Sequence, residues 1–207
     1  MIIGLVDYGM GNLKSIESAL YYLKVDKVLI SNNFNDLILA DKLVLPGVGS
    51  YVQAMNNIRS LNLDNYLKEL VLLKGKPCIG ICLGMQLLFS YSYEDGGCEG
   101  LSFIEGRFEK LKSKNLKIPH VGFNQVKTNS QSKLFKGIEN NSDFYFCHSF
   151  RIIQNYKSDL NIAICDYGEQ FIAAFEKNNI FGTQFHPELS QKNGLKILEN
   201  FINYSCA

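Results

Sequence analysis

The stretch KPCIGICLGMQLLF, residues 76–89, constrains the fold more than any other part of this chain. An apolar run climbs to Cys82, which has Gly80 and Gly84 two residues away on either side, and a helix-forming stretch follows. A cysteine buried for structure needs no such flanks, because it packs like a small apolar side chain. A sharp turn from strand into helix does need them, since backbone passing close to itself or to a substrate leaves no room for Cβ atoms. That pattern is a nucleophile elbow with cysteine where serine hydrolases place serine. On these residues alone, a structural thiol remains an equal reading.

The surrounding pattern supports a strand at this position. The first hundred residues alternate short apolar runs, IIGLV (2–6), KVLI (27–30), KLVLP (42–46) and KPCIGI, with amphipathic segments. In NLKSIESALYYL, Leu13, Ile16, Leu20 and Leu23 recur at helical spacing. FNDLILA, YVQAMNNIRSL, LDNYLKELVLLKG and the residues from Leu83 onward are the other helix candidates. Strands alternating with helices predict βαβ units, a mostly parallel sheet and helices on both faces. The second half is β-rich: FIEGRFEKL, HVGFNQVKT, DFYFCHSFRII, NIAICDYG, FIAAFEKNN and IFGTQFH are short segments broken by polar turns, before a last helix in GLKILENFINYS. No linker or repeat divides the 207 residues, so one α/β domain over 1–207 is expected.

Bulk properties exclude several classes. A formal net charge of +1 offers no electrostatic case for nucleic acid or a membrane surface as partner. No apolar run approaches the roughly 18 residues of a transmembrane helix. MIIGLVDYG reads as a first strand rather than an export signal, so the six cysteines are expected as reduced thiols in the cytoplasm. Cys78 and Cys82 lack a second ligand pair at zinc spacing, and no metal is expected.

A thiol at the start of a helix is favoured as thiolate by unpaired amides, and the N–H of Leu83 would face a developing oxyanion. His186 in TQFHPEL is the base candidate, at a strand end stopped by Pro187. Glu188, two residues on, lies on the same side of an extended chain and would orient the imidazole as the third member of a triad. The bland alternative is a His-Pro-Glu surface turn. His148 in FCHSF and His120 in IPHVGF are rival bases, each also readable as a satisfied structural histidine. LPGVGS (45–50) supplies glycine-rich backbone that suits the other half of an oxyanion hole, although a ligand-free tight turn would use the same residues. DYGMGNLKS lacks phosphate-loop spacing and reads as a βα turn with Asn12 near the helix start.

In this order and spacing, LPGVGS, GICLGMQLLF and GTQFHPEL resemble the class I, triad-type glutamine amidotransferases. VDYGMGNLKSI and PHVGFNQV (119–126) further resemble the glutaminase subunit of imidazole glycerol phosphate synthase, and the similarity covers nearly the whole chain. The resemblance implies a flavodoxin-like three-layer core and cofactor-free hydrolysis of glutamine by Cys82, His186 and Glu188. Amides of Leu83 and of the Val48–Gly49 turn would hold the oxyanion. Gln86, Glu94 and the backbone at Ser149 and Phe150 would hold the glutamine's amino-acid end. It also implies a heterodimer with a (β/α)8 cyclase of histidine biosynthesis, which takes the ammonia to make imidazole glycerol phosphate and an aminoimidazole carboxamide ribotide. His120, Phe123, Asn124 and Leu189 fall in the partner-facing stretches. Two of these depart from the subfamily, which commonly has lysine at Leu189 and tryptophan at Phe123. Both departures bear on the partner and not on the chemistry. The alternative is a paralogous glutaminase feeding a different synthase, such as one that amidates a surface-polysaccharide sugar.

Overall fold

The computed structural model describes residues 1–113, 116–128, 131–152 and 160–205, so Cys206 lies outside the described residues. Its elements begin with β1 (Ile2–Val6), α1 (Leu13–Tyr22), β2 (Lys27–Ser31), α2 (Phe34–Leu37), β3 (Lys42–Leu45), α3 (Tyr51–Ser60) and α4 (Leu63–Leu67). A π-helical turn, Lys68–Leu73, continues α4. Then come β4 (Cys78–Ile81), α5 (Leu83–Leu87), β5 (Phe89–Ser92), β6 (Cys98–Glu99), β7 (Ile104–Lys110), β8 (His120–Lys127), β9 (Ser142–His148) and β10 (Phe150–Ile152). β11 (Asn161–Asp166), β12 (Gln170–Lys177), β13 (Ile180–Thr183) and α6 (Gln191–Ile202) complete the order.

The main sheet runs β2-β1-β3-β4-β13-β12-β11-β8-β9. Its first five strands are parallel, in the doubly wound order of flavodoxin-like folds, and the remainder extends it antiparallel. Side chains alternate across this sheet with period two, as both-face burial requires. Ile3, Leu5, Val44, Ile79 and Ile81 point to one core, shared with Ile16 and Leu20 of α1 and Leu198 and Phe201 of α6. Val6, Leu43, Leu45 and Cys78 point to the other, shared with Ile58 of α3 and Leu67 of α4. The predicted stripe of α1 is therefore its buried face: Ile16 and Leu20 lie inside, with Leu13 and Leu23 packed at the margin. Asn12 caps that helix, its side chain accepting from the Ser15 amide.

Two element boundaries are set by contacts distant in the chain. The helix that begins at Leu83 stops at Leu87. Its last carbonyls are taken from outside, by the amides of Leu101 on Leu87 and of Phe103 and Ile104 on Leu88. Phe89, freed to extend, packs edge-on against Phe108 and Phe175 and starts a second sheet, β10-β7-β5-β6. The β-rich segment DFYFCHSFRII holds two strands, β9 and β10. It breaks at Ser149, whose carbonyl accepts from Leu111, and its two pieces join different sheets.

The carboxyl ends of β3, β4 and β13 lie side by side, where doubly wound folds bind ligands. Contact there is very close. A Cβ on Gly84 would stand 1.8 Å from the Leu45 carbonyl oxygen, and one on Gly80 would stand 2.6 Å from the Gly84 carbonyl oxygen. Gly84→Ala should therefore cost about 3 kcal/mol or more, since backbone cannot move aside as a side chain can. Urea unfolding checks this; an unchanged midpoint would contradict the packing account.

Candidate active site

Between β4 and α5, Cys82 is forced to φ 53°, ψ −110°, a left-handed conformation unusual for a residue with a Cβ. Its amide is pinned to the Thr183 carbonyl of β13 at 2.7 Å. The glycine flanks are thus explained by close approach, and the thiol, 5% exposed, sits at the base of a cleft.

The base comes from the neighbouring strand. Beyond β13, Phe185 is fully buried and stacks on Phe144 with centroids 4.2 Å apart. Alternation then turns Gln184 and His186 to the opposite side. The His186 amide donates to the Tyr145 carbonyl at 2.9 Å, which fixes this segment against β9. Glu188 does reach His186, with Oε1 2.9 Å from Nδ1, but not through the extended chain expected from its spacing. Pro187–Leu189 form a 3₁₀ turn, and it is this turn that folds the carboxylate back under the ring. Both side chains are nearly inaccessible, 7% and 1% exposed.

Burial on its own would push the His186 imidazole down. The hydrogen bonds to Cys82 and to Glu188, followed by the charges of the same two groups, outweigh it and raise the imidazole to about 11. The arrangement therefore favours the protonated ring at His186. The Cys82 sulfur also lies 3.7 Å from the Cys147 carbonyl oxygen. Gln184 donates to it through Nε2 at 3.8 Å, with its own amide orientation set by Gln86 Nε2 donating to Gln184 Oε1 at 3.0 Å. Gln184 is a functional neighbour that the sequence reading did not single out; it is fully buried just beyond β13.

A cleft of about 250 Å³ opens over the sulfur. Cys82, Leu83, His186, Val48 and Gly49 line it, so the expected nucleophile, base and oxyanion segments meet. Gln86, Glu94, Ser149 and Phe150 line it as well. Burial, then the adjacent Asp95, pushes the Glu94 carboxyl up. Glu188 lies behind the imidazole, and the four residues expected at the partner face are outside the cleft. Phe123 and Leu189 are exposed, whereas His120 is buried and Asn124 half-buried. Among the described residues no His, Cys, Asp and Glu cluster could hold a metal, and no helix is long and apolar enough to cross a membrane.

Fold and site define a thiol-dependent acyl-transfer enzyme on a flavodoxin-like sheet. Comparison with known proteins narrows this class. Residues 4–204 match the family "Glutamine amidotransferase class-I". The chain is 50% identical over 203 residues to imidazole glycerol phosphate synthase subunit HisH 1 of Campylobacter jejuni, covering 97% of this chain and 99% of that one. It is 45% identical over 201 residues to the HisH subunit of Methanocaldococcus jannaschii, covering 97% and 98%. PurLQS from Thermotoga maritima shares the fold at a TM-score of 0.71 with 19% identity, covering 98% of each chain. The chain belongs to the class-I glutamine amidotransferases and, within them, stands with the HisH subunits of imidazole glycerol phosphate synthase.

Removing the carboxylate tests the charge balance. With Glu188→Gln the His186 ring loses one of the groups that raise it, and so holds its proton less firmly beside Cys82. With a weaker cation beside the sulfur, iodoacetamide alkylation of the Cys82 peptide should slow about tenfold near pH 7. Equal rates at neutral pH would show that Glu188 does not hold the pair.

Proposed function

We propose that this chain is the glutaminase subunit of a histidine-pathway imidazole glycerol phosphate synthase, hydrolysing L-glutamine to glutamate and ammonia. The observation that carries this reading is the site geometry: Cys82 and His186 line one cleft, and the imidazole's Nδ1 rests on the buried Glu188 side chain at 2.9 Å. The Cys82 thiolate attacks the side-chain carboxamide carbon, and the oxygen's charge falls to the amides of Leu83 and of the Val48–Gly49 turn. The His186 imidazolium gives its proton to the departing nitrogen, which leaves as ammonia and a thioester on Cys82. Neutral His186 then takes a proton from water, whose oxygen attacks the thioester and releases glutamate. Thiolate and imidazolium are restored. Gln86, Glu94 and the Ser149–Phe150 backbone hold the amino-acid end of glutamine.

The ammonia passes to a (β/α)8 cyclase in a heterodimer, yielding imidazole glycerol phosphate and an aminoimidazole carboxamide ribotide. Exposed Val121, Phe123 and Leu189 support an apolar docking face for that partner. Phe123 packs edge-on against Tyr145, whose amide donates to Ser190 beside Leu189, so these side chains share one side of the site.

Cys82→Ala should abolish glutamate release while the variant still pairs with the cyclase and the complex still turns over with ammonium salt. Residual glutaminase activity above about a thousandth of the parent would overturn the assignment, given the usual cost of losing a triad nucleophile. In the same titration Phe123→Asp should weaken association with the cyclase about tenfold, and unchanged affinity would remove Phe123 from the interface.

A further inference from the structure

The stretch PHVGFN is only partly explained by a partner surface. On β8, Val121, Phe123 and Gln125 face solvent, while His120, Gly122 and Asn124 face inward. His120 is 2% exposed, stacked on Tyr167 at 3.8 Å between centroids and on Phe146 at 4.7 Å. Its Nδ1 lies 3.1 Å from Nε2 of His148, itself 5% exposed. Neither imidazole has a part in the triad chemistry.

The hydrogen bonds assign every proton in this pair. The Phe150 carbonyl can only accept, so His148 Nδ1, 2.8 Å away, carries the hydrogen, and a neutral His148 leaves Nε2 bare. His120 must then donate from Nδ1, which leaves its own Nε2 as an acceptor. Asn124 Nδ2 stands 3.4 Å from that nitrogen and also donates to the Asp166 carbonyl at 2.9 Å. The Asn124 amide cannot turn over, because its Oδ1 accepts from the Gln125 amide at 2.8 Å. The chain of donors thus runs one way, from Asn124 through His120 and His148 to the Phe150 carbonyl. An added proton would set two N–H groups face to face. Burial, the main cause, already pushes His120 down to about 4 and His148 to about 3.

We propose that Asn124, His120 and His148 form a positioning relay that sets the Ser149–Phe150 backbone of the glutamine cleft. The proposal rests on the reading of that backbone as the seat of the substrate's amino-acid end. Ser149 is the joint between the two sheets, where the ladder of β9 ends and that of β10 begins. The Leu111 amide holds the joint at the Ser149 carbonyl, and the relay holds it at the Phe150 carbonyl. The relay moves no proton in the reaction. It begins on the strand whose outer face carries Val121 and Phe123, so pressure on that face bears on the cleft.

Two reagents separate recognition from nucleophilicity in the full-length chain. 6-Diazo-5-oxo-L-norleucine carries glutamine's amino-acid end and labels Cys82 only when that end is bound; iodoacetamide needs the thiolate alone. His120→Phe keeps the stacked ring but removes the donor. It should slow labelling of the Cys82 peptide by the glutamine analogue about tenfold, as expected for a lost hydrogen bond, with the iodoacetamide rate within about twofold of the parent. His120→Asn places an amide N–H where Nδ1–H stood and should restore most of the loss. Analogue labelling unaffected in His120→Phe, or a parallel fall in both rates that His120→Asn does not relieve, would overturn the relay and leave a merely structural pair. A parent chain that reacts with iodoacetamide but not with the analogue would overturn the glutamine reading, and the relay with it.

Discussion

A charged imidazole with its ring almost out of reach of water is costly unless partners offset the burial, and at His186 Glu188 and Cys82 do so. Glu188 supports Nδ1 at 2.9 Å, and Cys82 joins it in raising the ring. Much of the local architecture serves to bring these three groups together. Parallel pairing of β4 with β13 sets Cys82 beside Gln184, and the Cys82 amide is fastened to the end of β13. The 3₁₀ turn after His186 returns Glu188 to the ring, while the buried stack of Phe185 on Phe144 anchors the segment from behind. The elbow places the sulfur by pressing Gly84 onto the Leu45 carbonyl, a contact available only to glycine.

The chain has three histidines, and the fold gives them opposite charges of duty by the same physics. At His186 burial is outweighed by an acid on each side, and the ring holds its proton. At His148 burial is joined by the imidazoles of His120 and His186, at His120 burial is the main cause, and both rings stay neutral. Neutral rings with fixed tautomers make directional hydrogen bonds, which suits holding a backbone in place. A charged ring between a thiolate and a carboxylate suits proton delivery to a leaving group.

What could be read from the sequence is what depends on neighbours along the chain. Alternating apolar runs indicated the parallel half of the sheet, and the glycines around Cys82 indicated a turn too tight for Cβ atoms. His186 and Glu188 were legible as a pair, though the turn that joins them was not, because Pro187 opens a 3₁₀ turn where an extended chain was expected. The second sheet was missed because its pairing of β5 with β7 competes with a helix that LGMQLLF would otherwise continue. Gln184 on Cys82 and His120 on His148 were out of reach for a different reason. Their partners are 102 and 28 residues away in the chain, and nothing local distinguishes them from ordinary buried polar side chains.

The protonation of His186 is the most direct test of this account, and the nitrogen resonances of its imidazole report it. Labelled full-length protein, titrated between about pH 6 and pH 9, has only three imidazoles to assign. The account predicts that His186 stays protonated across that range while His120 and His148 stay neutral with hydrogen on Nδ1. A His186 signal that titrates near the ordinary value of 6.5, unaffected by Cys82→Ser or Glu188→Gln, would contradict it.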